Sequence, residues 1–230
     1  MEHGFTWYQL LGFSNVPHWI VGSLVVFTIL TILSAAVYMA LQKRGASLVP
    51  EKRGSLVHFF DLVVERLLQL SESVMGEEGK KFFPLIGALF IYILVSNLLG
   101  LIPGFLPPTN NLNTNFACAL TVFIFYNYQG FRAHGLKYLK HFMGPVWWLA
   151  PIMMVIELVS HLVRPVSLSV RLFGNINGDH LVLGIFSGLI PIGIPVIFLF
   201  LGLFVSLVQA FVFTLLSMVY ISLATAHEEH

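Results

Sequence analysis

The residues able to do chemistry in this chain are concentrated in one stretch, Arg164 to His180, RPVSLSVRLFGNINGDH. It sets two arginines, an aspartate, two asparagines and a histidine into an otherwise apolar C-terminal third. Between residues 142 and 226 the only formal charges are Glu157, Arg164, Arg171 and Asp179. An arginine at mid-membrane depth costs about 2.5–3.5 kcal/mol on insertion scales. Ionisable groups kept at that cost face a cavity or a partner, and they mark ion paths. The alternative is a buried structural network.

On a helix, positions three, four and seven apart share a face. Glu157, Ser160, His161, Arg164, Ser167, Arg171, Asn175 and Asp179 recur at those intervals. The spacing predicts one polar stripe along a long helix. Arg171 then poses a counting problem, because a guanidinium stays protonated and needs an anion or a wet cavity. Every acid other than Glu157 and Asp179 lies in the first 78 residues or at the C-terminal end. By helical rise, Asp179 is about 12 Å from Arg171 and Glu157 about 21 Å. Glu157 and Arg164 are about 10 Å apart and can meet if both side chains extend. Arg171 is therefore expected to find its carboxylate on another subunit. The small residues Ser167, Ser169, Gly174 and Gly178 would let that partner approach closely.

The elements that must position these groups follow from composition. The chain has 230 residues, of which 57% are hydrophobic and 10% charged, with a mean hydropathy of +0.85. A soluble domain has about 25% charged residues. The composition predicts an all-α, polytopic membrane protein, a single membrane domain over residues 1–230, with no soluble domain of any size. The net charge of +1 says little about partners. One cysteine, Cys118, excludes an internal disulfide and a multi-cysteine metal site. MEHGFTW lacks a basic n-region, so no cleaved signal peptide is expected. No phosphate loop, dinucleotide fingerprint or nucleic-acid motif is present, and neither a cofactor nor a nucleic-acid partner is expected.

A span needs about 20 apolar residues. Trp19–Leu41 supplies the first, stopped by Lys43 and Arg44. Within the charged stretch 43–81, Ser55–Leu70 reads as an amphipathic helix. Leu56, Phe59, Phe60, Val63, Leu67 and Leu70 lie on one side, and His58, Asp61, Glu65, Gln69 and Glu72 on the other. It is either an interfacial helix or a plain packed one. Phe82–Ile102 is the second span, 103–115 an uncharged turn-rich loop, and Phe116–Phe131 a short third span. A basic loop follows, with Arg132, His134, Lys137, Lys140 and His141. Segments 1–81, 82–141 and 142–230 thus divide the membrane domain. Lys/Arg-bearing loops stay cytoplasmic, which places the N-terminus outside and HEEH at the C-terminus inside. Two long segments, Pro145–Ile190 and Pro191–Ala226, meet at LIPIGIP, a natural hairpin turn. Each exceeds the membrane thickness and must tilt or break, with Pro165 a candidate kink. In this topology Glu157, Ser160 and His161 lie toward the cytoplasm, Arg171 and Asn175 near the middle, and Asp179 and His180 toward the outside. Gln209, on the returning helix, falls near the depth of Arg171. Trp147 and Trp148 read as an interfacial belt.

RPVSLSVRLFGN (Arg164–Asn175), PTNNLNTN (Pro108–Asn115), QAFVF (Gln209–Phe213) and VYISLATAHEEH (Val219–His230) make the chain resemble the a-subunit family of F-type ATP synthases, from about residue 50 on. The resemblance implies the stationary ion-channel subunit of a rotary motor, non-catalytic by itself, in a bacterial plasma membrane. Its implied partners are the c-ring, b-type peripheral stalk subunits and membrane lipid. The family's essential arginine falls on Arg171, facing ring carboxylates that each carry a proton. Protons enter by one half-channel, ride the ring and leave by another. Asn175 and Gln209 fall on supporting polar positions, His180 in the outer route, and Glu157, Ser160 and Arg164 on polar positions before the arginine. His161 is the looser correspondence. Some members carry Glu at the His180 position with His or Glu on the last helix, where this chain has Gly202. Asp179 beside His180 then either joins the relay or anchors the helix. The choice of coupling ion rests mainly with the ring's carboxylate site.

Two other classes compete. A self-contained transporter would need an acid of its own near Arg171. An intramembrane enzyme with His161 and His180 as metal ligands would need a ligand spacing such as HExxH, and none is present.

Overall fold

A computed structural model describes residues 16–44, 56–102, 104–135, 138, 150–189 and 193–225. Residues 1–15, most of the basic loop including Trp147 and Trp148, and the HEEH end lie outside the described residues. The described residues form six α-helices: α1 His18–Arg44, α2 Leu56–Met75, α3 Gly79–Leu99, α4 Leu112–His134, α5 Ala150–Leu189 and α6 Ile194–Thr225. The chain divides into two compact units, Met1–Pro108 and Thr109–His230.

Among the described residues, four stretches are long and apolar enough to cross a membrane: His18–Gln42, Val57–Leu99, Pro151–Gly188 and Pro195–Thr225. The fold is thus all-helical and multi-pass, as the composition requires. In a bilayer every backbone N–H and C=O must be satisfied within the segment, and a helix does this locally. Helix α4 is long enough, about 35 Å by rise, but too polar to join that set. Its polar side chains turn inward instead: Asn115 is fully buried and Gln129 is 9% exposed.

In the first unit, Tyr92 of α3 donates to Ser23 Oγ of α1 at 3.3 Å, beside buried Val21 and Val26. Helix α2 buries Val57, Leu67 and Ser71 and exposes Asp61, Glu65, Arg66 and Gln69. It also leaves Phe59 and Leu62 exposed. The α2–α3 corner is tight. Ser71 donates to the Gly79 carbonyl at 3.0 Å, and a Cβ on Gly79 would sit 2.5 Å from Ser71 O.

The second unit is a three-helix assembly of α4, α5 and α6. Asn111 caps α4, its side chain accepting from Asn113 N at 2.9 Å. Gly135 closes it at φ 57°, with Arg132 and His134 in the last turn where a helix favours cations. The helix starts at Leu112, so the loop expected over 103–115 is shorter, with one 3₁₀ turn at Pro108–Asn110. Cys118, Ala119, Val122 and Tyr126 of α4 meet Leu168, Leu172 and Ile176 of α5 and Ala210, Phe213, Met218 and Ile221 of α6 in the core. Lipid tails are as apolar as these side chains, so close packing holds the helices together and small residues help. Ser169, Thr214 and Ser217 are buried there, each bonding back to a carbonyl of its own helix.

Helix α5 has 40 residues and runs unbroken through Pro165. At about 60 Å by rise it is twice the hydrocarbon thickness. Gly193 at φ 95° begins the return, a conformation open to glycine. Phe186 and Phe198 stack at 4.8 Å across the hairpin.

Candidate functional site

The polar stripe lies on α5, and packing divides it. Successive side chains are about 100° apart. His161, Leu168, Leu172 and Ile176 are buried on one side. Ser160, Arg171, Gly174, Asn175 and Gly178 are exposed on the adjoining side, and Glu157, Arg164, Ser167 and Asp179 are intermediate in exposure.

Toward the residue-157 end, Arg164 Nη2 meets Glu157 Oε1 at 3.6 Å, the pairing their spacing allows. The Arg164 guanidinium also lies 5.3 Å from the centroid of the Tyr220 ring of α6. Stacking of this kind suits the planar, weakly hydrated guanidinium. Arg164 is thus tied to its own helix and to α6.

His161 is 6% exposed and points into α4. Its Nε2 lies 2.8 Å from Asn127 Oδ1 and 3.3 Å from the Tyr126 hydroxyl. Tyr138 donates to the same Asn127 oxygen at 3.4 Å. Burial raises the Tyr138 phenol above its ordinary value, with Arg164 acting against the shift, so it remains a donor. Tyr126, Asn127, Tyr138 and Tyr220 were not singled out by the sequence. For Tyr126 and Asn127 the one signal is an amide among aromatics in the third span, FYNYQ. Nothing in that helix alone says which neighbour the amide meets.

At the middle of the hairpin, Asn175 Nδ2 donates to Gln209 Oε1 at 2.6 Å, joining α5 to α6. Gln209 is 4% exposed, and its Nε2 is buried without a hydrogen-bond partner among the described residues. Such a donor costs about 1–3 kcal/mol unless water or an incoming group satisfies it. Beside this pair lies a cavity of about 410 Å³, lined by Gly174, Asn175, Gly178, Asp179, Phe204 and Gln209 among others. It has both the room and the polar groups that hold water. His180 is half-buried and does not line the cavity, and Gly202 is buried on α6. The structure brings Asn175, Asp179 and Gln209 together and leaves His180 apart from them.

Arg171 is exposed on the open side of α5, level with this pair. Among the described residues, no carboxylate lies within salt-bridge distance of it. Gly174 and Gly178 stand on the same side, with nothing within 4 Å of where a Cβ would be. Among the described residues, no three His, Cys, Asp or Glu side chains converge as metal ligands would.

An exposed guanidinium followed on the same side by two open glycines, level with an amide pair bridging a long hairpin, is a restrictive arrangement. Residues 20–222 match the family model described as ATP synthase A chain. The chain belongs to that family. Among its relatives, "ATP synthase subunit a" of Bdellovibrio bacteriovorus is 47% identical over 226 residues, covering 97% of this chain and 99% of the relative. The protein of the same name from Trichlorobacter lovleyi is 50% identical over 205 residues, 88% of each chain. "ATP synthase subunit a 1" of Syntrophotalea carbinolica is 51% identical over 182 residues, 79% of this chain and 76% of the relative. As a member of the ATP synthase A chain family, the chain is a membrane component of an ATP synthase, and its exposed arginine face acquires a setting. Phe204 of α6, 61% exposed, lines the cavity beside that face. In an assembly such a face meets lipid or another subunit.

Proposed function

We propose that this chain is the stationary ion-translocating subunit of the synthase's membrane sector. Two offset half-channels carry protons to and from carboxylates on a rotating c-ring. The rotation is coupled to ATP synthesis elsewhere, and the chain itself catalyses no covalent step. The observation that carries this reading is Arg171, exposed at the middle of α5 with no described carboxylate in reach. A permanently charged group so placed attracts a carboxylate from a neighbouring polypeptide and favours its ionised form. As each ring carboxylate passes, it gives up its proton. The fixed cation also bars a proton from crossing directly between the half-channels.

The cytoplasmic route runs past Ser160, Glu157 and Arg164, on the exposed and intermediate sides of α5. The outer route uses the cavity at Asn175 and Gln209. Asp179, on the cavity wall one turn from Asn175, is the group there that can take and release a proton. It supplies the titratable group that Gly202 lacks, and His180 stands outside the cavity wall. The N-terminus lies outside and the C-terminus in the cytoplasm of a bacterial plasma membrane, in keeping with the basic residues after α1 and α4. The b-type stalk subunits hold the chain still against the ring.

A self-contained transporter is the competing reading, and reconstitution separates the two. The purified chain alone in liposomes is expected to pass no protons under an imposed gradient. The assembled membrane sector should pass them freely. Proton flux through the isolated chain would overturn the proposal.

A further inference from the structure

Every buried residue on the inner face of α5 between positions 161 and 176 is apolar or a back-bonded serine, except His161. Pro165, Leu168, Ser169, Leu172 and Ile176 make up the rest. Apolar packing between membrane helices is permissive in rotation, because one smooth surface resembles another. A polar contact made by one buried side chain limits that freedom, since turning the helix strands the buried group away from its partner.

The pair here is oriented by its surroundings. Asn127 Nδ2 donates to the Phe123 carbonyl at 2.7 Å, which commits Oδ1 to accepting. His161 Nε2 at 2.8 Å from that oxygen must then carry the hydrogen. The rings of Phe123 and Tyr126 flank the imidazole, each at 5.1 Å. Gly130 lets the Tyr138 ring lie against α4, where a Cβ would come within 2.5 Å of it, and so brings the second donor to Asn127. The tie also sits where the helix is softest. Residue 165 is proline, so the His161 carbonyl lacks its usual i+4 N–H partner.

We propose that His161 is a positioning residue: its hydrogen bond to Asn127 fixes the rotation of α5 about its own axis and so the direction in which Arg171 is presented. This rests on the reading of Arg171 given above. His161 and Arg171 are about 15 Å apart by rise and about 80° apart around the helix. Holding the first against α4 therefore turns the second outward. In this role the imidazole supplies a donor, and proton exchange through it forms no part of the path.

The test compares variants in membranes holding the assembled complex, with ATP-driven proton pumping normalised to the complex present. His161→Gln keeps an N–H donor but cannot titrate. It should pump within about twofold of wild type, with an unchanged pH profile. His161→Leu and Asn127→Leu should each lose about tenfold, and the double variant should be no worse than either, as coupled partners behave. The exchanged pair, His161→Asn with Asn127→His, should recover most of the loss. Pumping by His161→Gln as poor as by His161→Leu, or a displaced pH profile, would make His161 a relay and overturn the proposal. So would leucine variants that pump normally. If the leucine variants do not assemble, the glutamine variant and the exchanged pair decide: activity in both supports the proposal, and loss in either overturns it. None of these results depends on Arg171→Ala, whose continued pumping would sink the reading of Arg171 instead.

Discussion

Arg171→Ala is expected to reduce ATP-driven proton pumping to about one hundredth of wild type or less, in complexes that still assemble. A mid-membrane arginine is held at about 2.5–3.5 kcal/mol, and the carboxylate that repays this gains a comparable interaction. Each 1.36 kcal/mol is a factor of ten in rate, so the lost interaction alone accounts for about a hundredfold. Assembly should survive, because Arg171 is exposed and makes no described ion pair within its own chain. The buried contacts of α5 come from Leu168, Leu172 and Ile176 instead. The measurement is acidification of inverted vesicles, alongside a count of assembled complexes. Persistent pumping would remove Arg171 from the path.

Gly178→Leu should lower pumping more than tenfold without unfolding the chain. Gly178 lies within about 20° of Arg171 around α5. Nothing lies within 4 Å of its Cβ position, so the first atom of a side chain there enters open space. Replacing glycine inside a helix otherwise favours the helix, by up to about 1 kcal/mol. The loss then comes from a partner held off Arg171 or from a side chain obstructing the cavity that Gly178 lines. Gly184→Leu is the control. It is equally open, but about 140° away from Arg171 around the helix, and it should pump normally. Equal behaviour of the two variants would remove the special status of the Arg171 face.

Much of this was legible from the residues. Long apolar runs and prolines placed the hairpin, and helical rise put Glu157 in reach of Arg164, where the two meet at 3.6 Å. The returning helix was expected to bring Gln209 to the depth of Arg171, and its amide bridges to Asn175. Periodicity failed to resolve the stripe itself. A set of residues spread over about 120° of a helix reads as one face. Packing cut it in two, turning His161 toward α4 and leaving Arg171 open. The hydropathy of one helix does not say which neighbour lies on which side. Asn127 and Tyr126 therefore carry no sign, in the sequence of their own helix, of the histidine they meet on α5. The same limit applied to Asp179 and His180, which are adjacent in sequence but about 100° apart on the helix, so that only Asp179 reaches the cavity.

The counter-charge of Arg171 comes, in this mechanism, from another polypeptide. The most direct measurement is a structure of the assembled membrane sector, with the nearest carboxylate to the Arg171 guanidinium identified by chain. The account predicts a carboxylate of a ring subunit, within ion-pair or single-water distance at mid-membrane depth. A carboxylate of this same chain in that position, Asp179 or Glu157 included, would contradict it.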